Sequence, residues 1–262
     1  MTKLNLEPLY DPKRGPLRVV GLMSGSGTNL RRILEHEARL KKERGDSPFR
    51  VAVIFSDSSE SKAAEIGRDY DLPVITRDIR AFYQARGRKK SDLSLRPDFD
   101  RETVRALSPH QVSAAAYAGY MSVASPVLIQ AFLGVNVHPA DLSIEEKGRR
   151  KYTGDHADLD AIRAGEKTIG STTHLIEERV DYGRILIISP PVPVRIPAGA
   201  DLSDPETAKK VSAENQERLK EKGDWIIFPK TLEYLAEGRF AADGQGRLHF
   251  DGKPIPQGLQ IQ

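Results

Sequence analysis

An amide and an imidazole stand two residues apart in the stretch Val135–Pro139 (VNVHP), which follows a mostly apolar, uncharged run that begins at Val123. Side chains at positions i and i+2 of a strand point to the same side, so Asn136 and His138 are predicted to face one cleft before the proline ends the strand. An amide can hold a developing oxyanion, and an imidazole can move or stabilise a proton. The pattern suits chemistry at a carbonyl carbon. A structural histidine at a strand end explains the motif equally well when it is taken alone.

A second candidate site is the glycine-rich turn Ser24–Asn29 (SGSGTN), which follows a predicted strand and precedes a predicted helix. Such a turn presents backbone N–H groups and a helix N-terminus to an anion. It is not a dinucleotide fingerprint, because Leu30 takes the place of the third glycine, and no Walker A lysine follows. A single phosphate is the predicted ligand. The structural alternative is a tight turn in which Thr28 or Asn29 caps the helix.

The composition limits the classes of function. Lys and Arg number 40 against 37 Asp and Glu, which gives a net charge of +3 and a pI near 9.0, with both signs interspersed. We therefore expect small anionic ligands and no nucleic acid partner. The absence of cysteine excludes disulfides, thiolate nucleophiles and cysteine-bound metals, and is typical of a cytoplasmic protein. No apolar run approaches a membrane span, so we expect no membrane association and no secretory signal.

Strand and helix patterns alternate along the chain, which predicts an α/β fold with a Rossmann-like, mainly parallel sheet and helices on both faces. The predicted strands are Leu17–Met23, Val51–Phe55, Leu72–Ile75, Val112–Ala118, the strand through Asn136, Thr172–Ile176 and Ile185–Ile188. The predicted helices are Leu30–Lys42, Ser61–Tyr70, Phe99–Leu107, Pro126–Phe132, His156–Ala164, Pro205–Leu219 and Trp225–Glu237. Ligands of such a sheet bind beyond the carboxyl ends of the strands, where Asn136 and the glycine turn would lie.

Three parts are predicted along the chain: an N-terminal extension (1–16), an α/β domain (17–193) and a C-terminal helical and hairpin extension (194–262) that packs on the same domain. The segment 77–97 gives no clear assignment, and its basic cluster is interpreted as a solvated face. The stretch 141–155 is predicted as a polar loop. The tail from Gly246 to Gln262 is predicted as a short hairpin.

Five motifs occur in an order and spacing that resemble the phosphoribosylglycinamide formyltransferase family, the folate-dependent transformylases of purine synthesis. The motifs are Ser24–Leu30, Ala118–Met121, Asn136–Pro139, Gly170–His174 and Val180–Gly183. The resemblance covers about 17–193 and resumes at 227–229 and 251–254. The Asn-x-His with a later Asp-x-Gly is shared by folate-dependent formyltransferases and a related deformylase. The glycine turn is more specific, because in the ribonucleotide transformylases it holds the substrate phosphate.

The resemblance implies a formyltransferase fold and a role for each matching residue. It implies catalytic roles for Asn136, His138 and Asp181, phosphate binding by Gly27, Thr28 and Asn29, folate binding by Arg96, Met121, Ser122, Val123 and Ala124, and a substrate amine contact at Asp224. It also suggests that His156 and His174 lie near the site. The implied cosubstrate is 10-formyltetrahydrofolate, and no metal is required.

By this resemblance, a primary amine attacks the formyl carbon of the folate, and a tetrahedral oxyanion forms and collapses. Asn136 would donate a hydrogen bond to the oxyanion, and His138 would be needed in its protonated form. Asp181, as a nearby carboxylate, is expected to raise the pKa of His138. Taken alone, Asp181 is also consistent with an ordinary turn residue.

Two departures from the family bear on its ligands: Ser122 leaves open how the folate is held, and the changed loop after Pro139 leaves the acceptor open. Ser122 stands where the family commonly has an arginine, and Ala140–Ser143 replaces its usual Ser-Leu-Leu-Pro ahead of a longer loop to His156. The leading hypothesis is a formyltransferase acting on a phosphorylated amine, with glycinamide ribonucleotide as the first choice of acceptor. The alternatives are a different amine acceptor, a 10-formyltetrahydrofolate hydrolase, and a non-catalytic folate- or nucleotide-binding relative. We expect a monomer or homodimer that binds small-molecule substrates.

Overall fold

A computed structural model, which describes residues 5–261, contains a central eight-stranded sheet with helices on both faces. Met1–Leu4 of the predicted N-terminal extension and Gln262 at the end of the predicted tail lie outside the described residues. The strands are β1 (Glu7–Pro8), β2 (Leu17–Met23), β3 (Phe49–Ser56), β4 (Val74–Thr76), β5 (Ala114–Tyr117), β6 (Leu133–His138), β7 (Glu145–Glu146), β8 (Arg149–Arg150), β9 (Thr168–Ile169), β10 (Thr172–Leu175), β11 (Ile185–Ile188), β12 (Val192–Pro193), β13 (Phe240–Ala242), β14 (Leu248–Phe250), β15 (Lys253–Pro254) and β16 (Leu259–Gln260). The helices are α1 (Thr28–Arg44), α2 (Ala63–Asp69), α3 (Ile79–Gln84), α4 (Arg96–Leu107), α5 (Pro126–Ala131), α6 (Ala157–Arg163), α7 (Pro205–Leu219) and α8 (Trp225–Ala236).

The order of strands in the central sheet is β16-β11-β10-β6-β5-β2-β3-β4. Strand β10 runs antiparallel to both of its neighbours, and the other pairings in this sheet are parallel. The predicted fold class, a mainly parallel sheet with helices on both faces, is confirmed. This arrangement explains why the strands are long apolar runs. A sheet that is covered on both faces buries the side chains on both sides of each strand.

Strand β2 shows how the two faces are divided. Leu17, Val19 and Met23 pack into one apolar cluster, whereas Val20 and Leu22 pack into the other. The first cluster also contains buried residues of α1, α2 and α8, and the second contains residues of α3, α4 and α5. This period of two fixes the register of the sheet, because a slip of one residue would exchange the two faces.

The chain changes direction across the sheet beside β2. Strands β3 and β4 lie on one side of β2, and β5 and β6 lie on the other side. In an open parallel sheet, ligands bind at such a switch point, beyond the carboxyl ends of the strands. The turn after β2 and the loop after β5 therefore lie at the expected position of a ligand site.

Several element boundaries differ from the predictions for local physical reasons. Helix α1 begins at Thr28 rather than Leu30, because Gly27 adopts a left-handed conformation and ends the preceding turn. The segment 77–97, which the sequence left unassigned, contains α3. The predicted polar loop 141–155 contains the hairpin β7–β8. A π-helical turn, Lys220–Asp224, joins α7 directly to α8.

The start of the described chain pairs with a strand of the C-terminal region. Strand β1 pairs with β13 in a four-stranded sheet that also contains the β14–β15 hairpin. The tail contains more than the predicted hairpin, since β16 pairs in parallel with β11 and becomes an edge strand of the central sheet. The division of the chain at residues 16 and 193 stays a prediction.

Candidate active site

A cleft of about 570 Å³ opens at the carboxyl ends of the central strands. A volume of this size is typical of a small-molecule site. The cleft is lined by most of the residues predicted to act: Gly27, Thr28, Asn29, Met121, Ser122, Val123, Ala124, Asn136, His138, Asp181 and Asp224. Arg96 is not among its lining residues.

The imidazole of His138 carries a hydrogen on Nε2. This nitrogen lies 3.1 Å from the carbonyl oxygen of Tyr152, and a carbonyl can only accept, so Nε2–H is the donor. The other ring nitrogen, Nδ1, lies 3.5 Å from Oδ1 of Asp181. Protonation and deprotonation of this ring therefore occur at Nδ1, the nitrogen that faces the carboxylate.

Asp181 raises the pKa of His138 as predicted, but the net pKa is still below the ordinary value of histidine. Burial lowers this pKa and is the largest influence, since His138 is 4% exposed. Asp181 and the Tyr152 carbonyl act in the opposite direction and do not compensate for the lost solvation. The pKa of His138 lies below its ordinary value, so the ring is neutral at pH 7 in the protein without substrates.

Asn136 is held by a histidine from the reversed strand. His174 on β10 is the direct register partner of Asn136 on β6. Nδ1 of His174 donates to the carbonyl of Leu175 at 2.8 Å, so its bare Nε2 accepts from Nδ2 of Asn136 at 3.3 Å. One amide hydrogen of Asn136 is thereby committed to the protein. The second is available to an oxyanion in the cleft.

Asp181 lies between the two imidazoles. Its Oδ1 is 3.6 Å from Nε2 of His174, and its Oδ2 accepts from the N–H of Gly154 at 2.7 Å. Asp181 has a left-handed φ of 58°, in a turn that lies close against β10. A side chain at Gly183 would lie 1.7 Å from the carbonyl oxygen of Leu175, so this position of the turn requires glycine. The turn fixes the carboxylate beside both rings.

The glycine turn places the N-terminus of α1 at the cleft. Gly27 has a φ of 68°, and a Cβ atom there would lie 2.5 Å from Cδ1 of Ile66. The first turn of α1 contains no acidic residue, so no protein carboxylate occupies the positive end of the helix dipole. The arrangement suits a phosphate bound by backbone N–H groups.

Helix α7 and the π-helical turn that follows it contribute side chains to the cleft. Gln216, Lys220 and Asp224, which are spaced four residues apart, all line the cleft. Lys220 forms an ion pair with Glu217 at 2.5 Å and keeps 28% of its side chain exposed. Lys220 is therefore a cation that an anionic ligand can reach.

Asp224 lies at the end of the cleft nearest the glycine turn. Its carboxylate accepts a hydrogen bond from Ser171, and the side chain of Asn29 lies beside it. Burial raises the pKa of Asp224, and these two donors oppose the rise. Its hydrogen bonds thus join the glycine turn to the start of β10. No hydrogen bond joins Asp224 to Asn136 or His138. The predicted contact of Asp224 with the substrate amine stays a prediction.

The loop after β5 presents two apolar side chains to the cleft. Met121 is 66% exposed and Val123 is 45% exposed, which is unusual for large hydrophobic residues. Ser122 between them is buried, and its hydroxyl donates to the carboxylate of Asp57. The loop is also tied to the glycine turn, because the N–H of Met121 donates to Ser24 Oγ at 2.9 Å. Met121 and Val123 thus form an apolar surface on which a flat ring could pack.

Arg96 does not take the position that the resemblance implies. The proline that follows it occupies the first turn of α4, so the helix begins at Arg96 and directs this side chain inward, where it is 3% exposed. Its guanidinium lies 5.7 Å from the ring of Phe99 and lowers the pKa of Asp100, which burial raises. Asp100 in turn accepts from the N–H of Ser125 at 2.6 Å. Arg96 therefore lies behind the Met121 loop, outside the cleft.

Sequence reasoning missed several groups of the site. The carbonyl of Tyr152 and the N–H of Gly154 are main-chain groups, which leave no signature in residue type. Lys220 and Gln216 are spaced four apart on one helix, and that spacing, which puts both on one face, is the signal that could have found them. His174, which the resemblance suggested, is in the site, whereas His156 is exposed.

Residues 5–261 contain no cluster of three or more His, Asp or Glu side chains arranged to hold a metal ion. In the same part of the chain, every helix is too short or too polar to cross a membrane.

Known proteins share this sequence pattern and fold. A family model described as formyl transferase matches residues 17–219. Phosphoribosylglycinamide formyltransferase of Mycobacterium tuberculosis is 33% identical over 190 residues, 72% of this chain and 76% of the relative. The crystal structure of glycinamide ribonucleotide transformylase 1 from Symbiobacterium toebii has a TM-score of 0.62 at 27% identity, over 90% of this chain and 94% of that chain. Phosphoribosylglycinamide formyltransferase from Coxiella burnetii shares the fold, with a TM-score of 0.67 at 22% identity over 94% of this chain and 100% of that chain.

The buried His174 makes the stability of the protein depend on pH. Burial lowers its pKa from 6.5 to about 4, so unfolding takes up a proton between these values and stability falls as the pH falls from 6.5 towards 4. At about 1.4 kcal/mol per pH unit for one proton, His174 accounts for on the order of 2 kcal/mol of lost stability between pH 7.5 and pH 5. We expect His174→Gln to show a correspondingly smaller loss in urea unfolding. The exposed His156→Gln is the control, and an equal pH dependence of His174→Gln and the unmodified protein would contradict the prediction.

Proposed function

The chain belongs to the formyl transferase family, and from that premise we propose that it transfers the formyl group of 10-formyltetrahydrofolate to the primary amine of glycinamide ribonucleotide. One observation carries the proposal: Asn136, His138 and Asp181 meet in a single cleft with the glycine turn. An oxyanion donor, a proton carrier and an anion site are the groups that this reaction needs.

The two ends of the cleft suggest how the substrates lie. The N-terminus of α1 and Lys220, which line the same cleft, suit the phosphate of the acceptor. The apolar side chains of Met121 and Val123 suit the flat pterin of the folate. Asn136 and His138 line the same cleft, so the amine and the formyl carbon would meet beside them.

The reaction requires one proton to move. The amine nitrogen forms a bond to the formyl carbon, and the carbonyl electron pair moves to oxygen, where the available hydrogen of Asn136 stabilises it. The amine then carries an extra proton, which neutral His138 accepts at Nδ1. The bond between the formyl carbon and N10 of the folate breaks, and the proton passes from Nδ1 to N10, which yields tetrahydrofolate.

The low pKa of His138 fits this sequence of steps. A histidine that is neutral at rest can accept the proton of the attacking amine, whereas one already protonated cannot. Once the oxyanion has formed, its negative charge adds to that of Asp181, and both favour the imidazolium. The protonated ring that the resemblance requires would then exist only while the tetrahedral intermediate is present.

We assign the enzyme to the cytoplasm, of which a cysteine-free sequence is typical. Its partners are small-molecule substrates, with no nucleic acid, and the protein acts as a monomer or homodimer.

The test follows folate absorbance over time with purified protein and 10-formyltetrahydrofolate, with and without glycinamide ribonucleotide. We expect release of tetrahydrofolate that depends on the ribonucleotide. Equal release without it would replace the proposal with a folate hydrolase. If neither mixture reacts, other phosphorylated amines follow, and the transferase assignment fails if none of them supports release.

Replacing Asn136 removes the oxyanion donor. We expect Asn136→Ala to lower kcat by at least about 100-fold, which is the usual effect of losing one such donor. The measurement is kcat in the absorbance assay, with circular dichroism to show that the variant is folded. Near-normal turnover of this variant would remove Asn136 from the mechanism.

Lys220 provides a test of the phosphate position. Loss of a hydrogen bond to a charged group costs about 1.5–3 kcal/mol, so we expect Lys220→Met to raise KM for the phosphorylated acceptor by about 10- to 100-fold. The KM for an acceptor without phosphate should stay unchanged. Lys222→Met, an exposed lysine two residues away, is the matched control. An equal effect of Lys220→Met on both acceptors would contradict a phosphate contact.

A further inference from the structure

The hairpin β7–β8 brings an arginine to the catalytic turn. Arg150, the last residue of β8, is partly buried, and its Nη1 donates to the carbonyl oxygen of Asp181. Its guanidinium also lies 5.5 Å from the ring of Tyr182, the next residue of the turn. Arg149 beside it is exposed, so the two arginines of the hairpin differ in position.

Two contacts fix the conformation of Asp181. Its φ of 58° lies in the left-handed region, which is uncommon for residues other than glycine although Asp tolerates it better than most. Two groups act on this residue from one segment of the chain. Arg150 binds its main-chain carbonyl, and the N–H of Gly154 binds its carboxylate. Together they fix both the backbone and the side chain of Asp181.

Arg150 does not line the cleft, so it would act through Asp181 without touching substrate. The charged groups around Arg150 are Glu145 of its own hairpin and Glu177 and Asp181 from the loop after β10. Arg179 also packs on the ring of Tyr182, with its guanidinium 3.3 Å from the ring centre. These contacts hold the guanidinium against the turn.

We propose that Arg150 is a positioning residue, which keeps the Asp181 carboxylate beside His138 and His174 by holding the main chain of Asp181. The inference rests on the proposed function for its effect on catalysis. Its effect on the two imidazoles does not depend on which substrates the enzyme uses.

The first test compares turnover in three variants. Arg150→Met removes the donor and the charge, Arg150→Lys keeps a charge and one donor, and Arg149→Met is the control on the exposed neighbour. A misplacement of about 1 Å at a catalytic group can cost about 100-fold, so we expect kcat of Arg150→Met to fall by about 10- to 100-fold with KM for both substrates nearly unchanged. Arg150→Lys should recover part of this loss, and Arg149→Met should match the unmodified enzyme.

The second test measures the histidines directly, by NMR titration of labelled histidine rings without substrates. The groups that face His138 are Asp181, Asp158, His174 and Arg150. If Arg150 holds Asp181 in place, the carboxylate withdraws in Arg150→Met, and the titration midpoint of His138 falls. If Arg150 acts only as a nearby positive charge, its removal makes that midpoint rise.

The outcomes separate this inference from the proposed function. A lower His138 midpoint in Arg150→Met, with Arg149→Met unchanged, supports the positioning role even if the enzyme shows no transfer to glycinamide ribonucleotide. A raised or unchanged midpoint overturns it, as does an equal loss of kcat in Arg149→Met. If the unmodified enzyme shows no transfer activity, that result counts against the proposed function and not against the role of Arg150.

Discussion

The cleft depends on one buried carboxylate, Asp181, which lies between the imidazoles of His138 and His174. A carboxylate taken out of water is costly unless it is hydrogen-bonded or paired. Here the N–H of Gly154 supplies a direct hydrogen bond at 2.7 Å, and each imidazole lies beyond that distance. The charge of Asp181 therefore stabilises a proton on either ring. The carboxylate does not require such a proton, because the N–H of Gly154 already binds it.

Burial and charge act in opposite directions on both histidines, and burial is the larger influence. Both rings are therefore neutral, and the main-chain carbonyl that each ring binds determines which of its nitrogens carries the hydrogen. A neutral ring has one donor, which His138 gives to Tyr152 and His174 gives to Leu175. The remaining nitrogens face Asp181 and Asn136, which are the groups taking part in the proposed chemistry. The hydrogen-bond acceptors in the main chain thus decide which nitrogen is reactive.

Much of the fold and the site could be predicted from the sequence. The apolar run Leu17–Met23 predicts β2 to the residue, and the spacing of Asn136 and His138 is realised on β6. The predictions fail where one local pattern competes with a larger influence. The net pKa of His138 depends on its burial as well as on its carboxylate neighbour, and a motif reveals only the neighbour. Arg96 matches a motif, but the helix that begins there turns its side chain into the core.

Other features of the site come from irregular segments, whose geometry the helical and strand periodicities do not predict. A π-helical turn rotates the chain by less per residue than an α-helix does, so Asp224 stays on the same face as Gln216 and Lys220. In a continuous α-helix, each step of four residues would shift the side chain further around the axis. The β7–β8 hairpin has a comparable effect at the other end of the cleft, since it brings Arg150 to a turn that the parallel strands do not reach. The regular sheet provides Asn136, His138 and His174, and the irregular segments supply Asp181 and the main-chain groups that hold it.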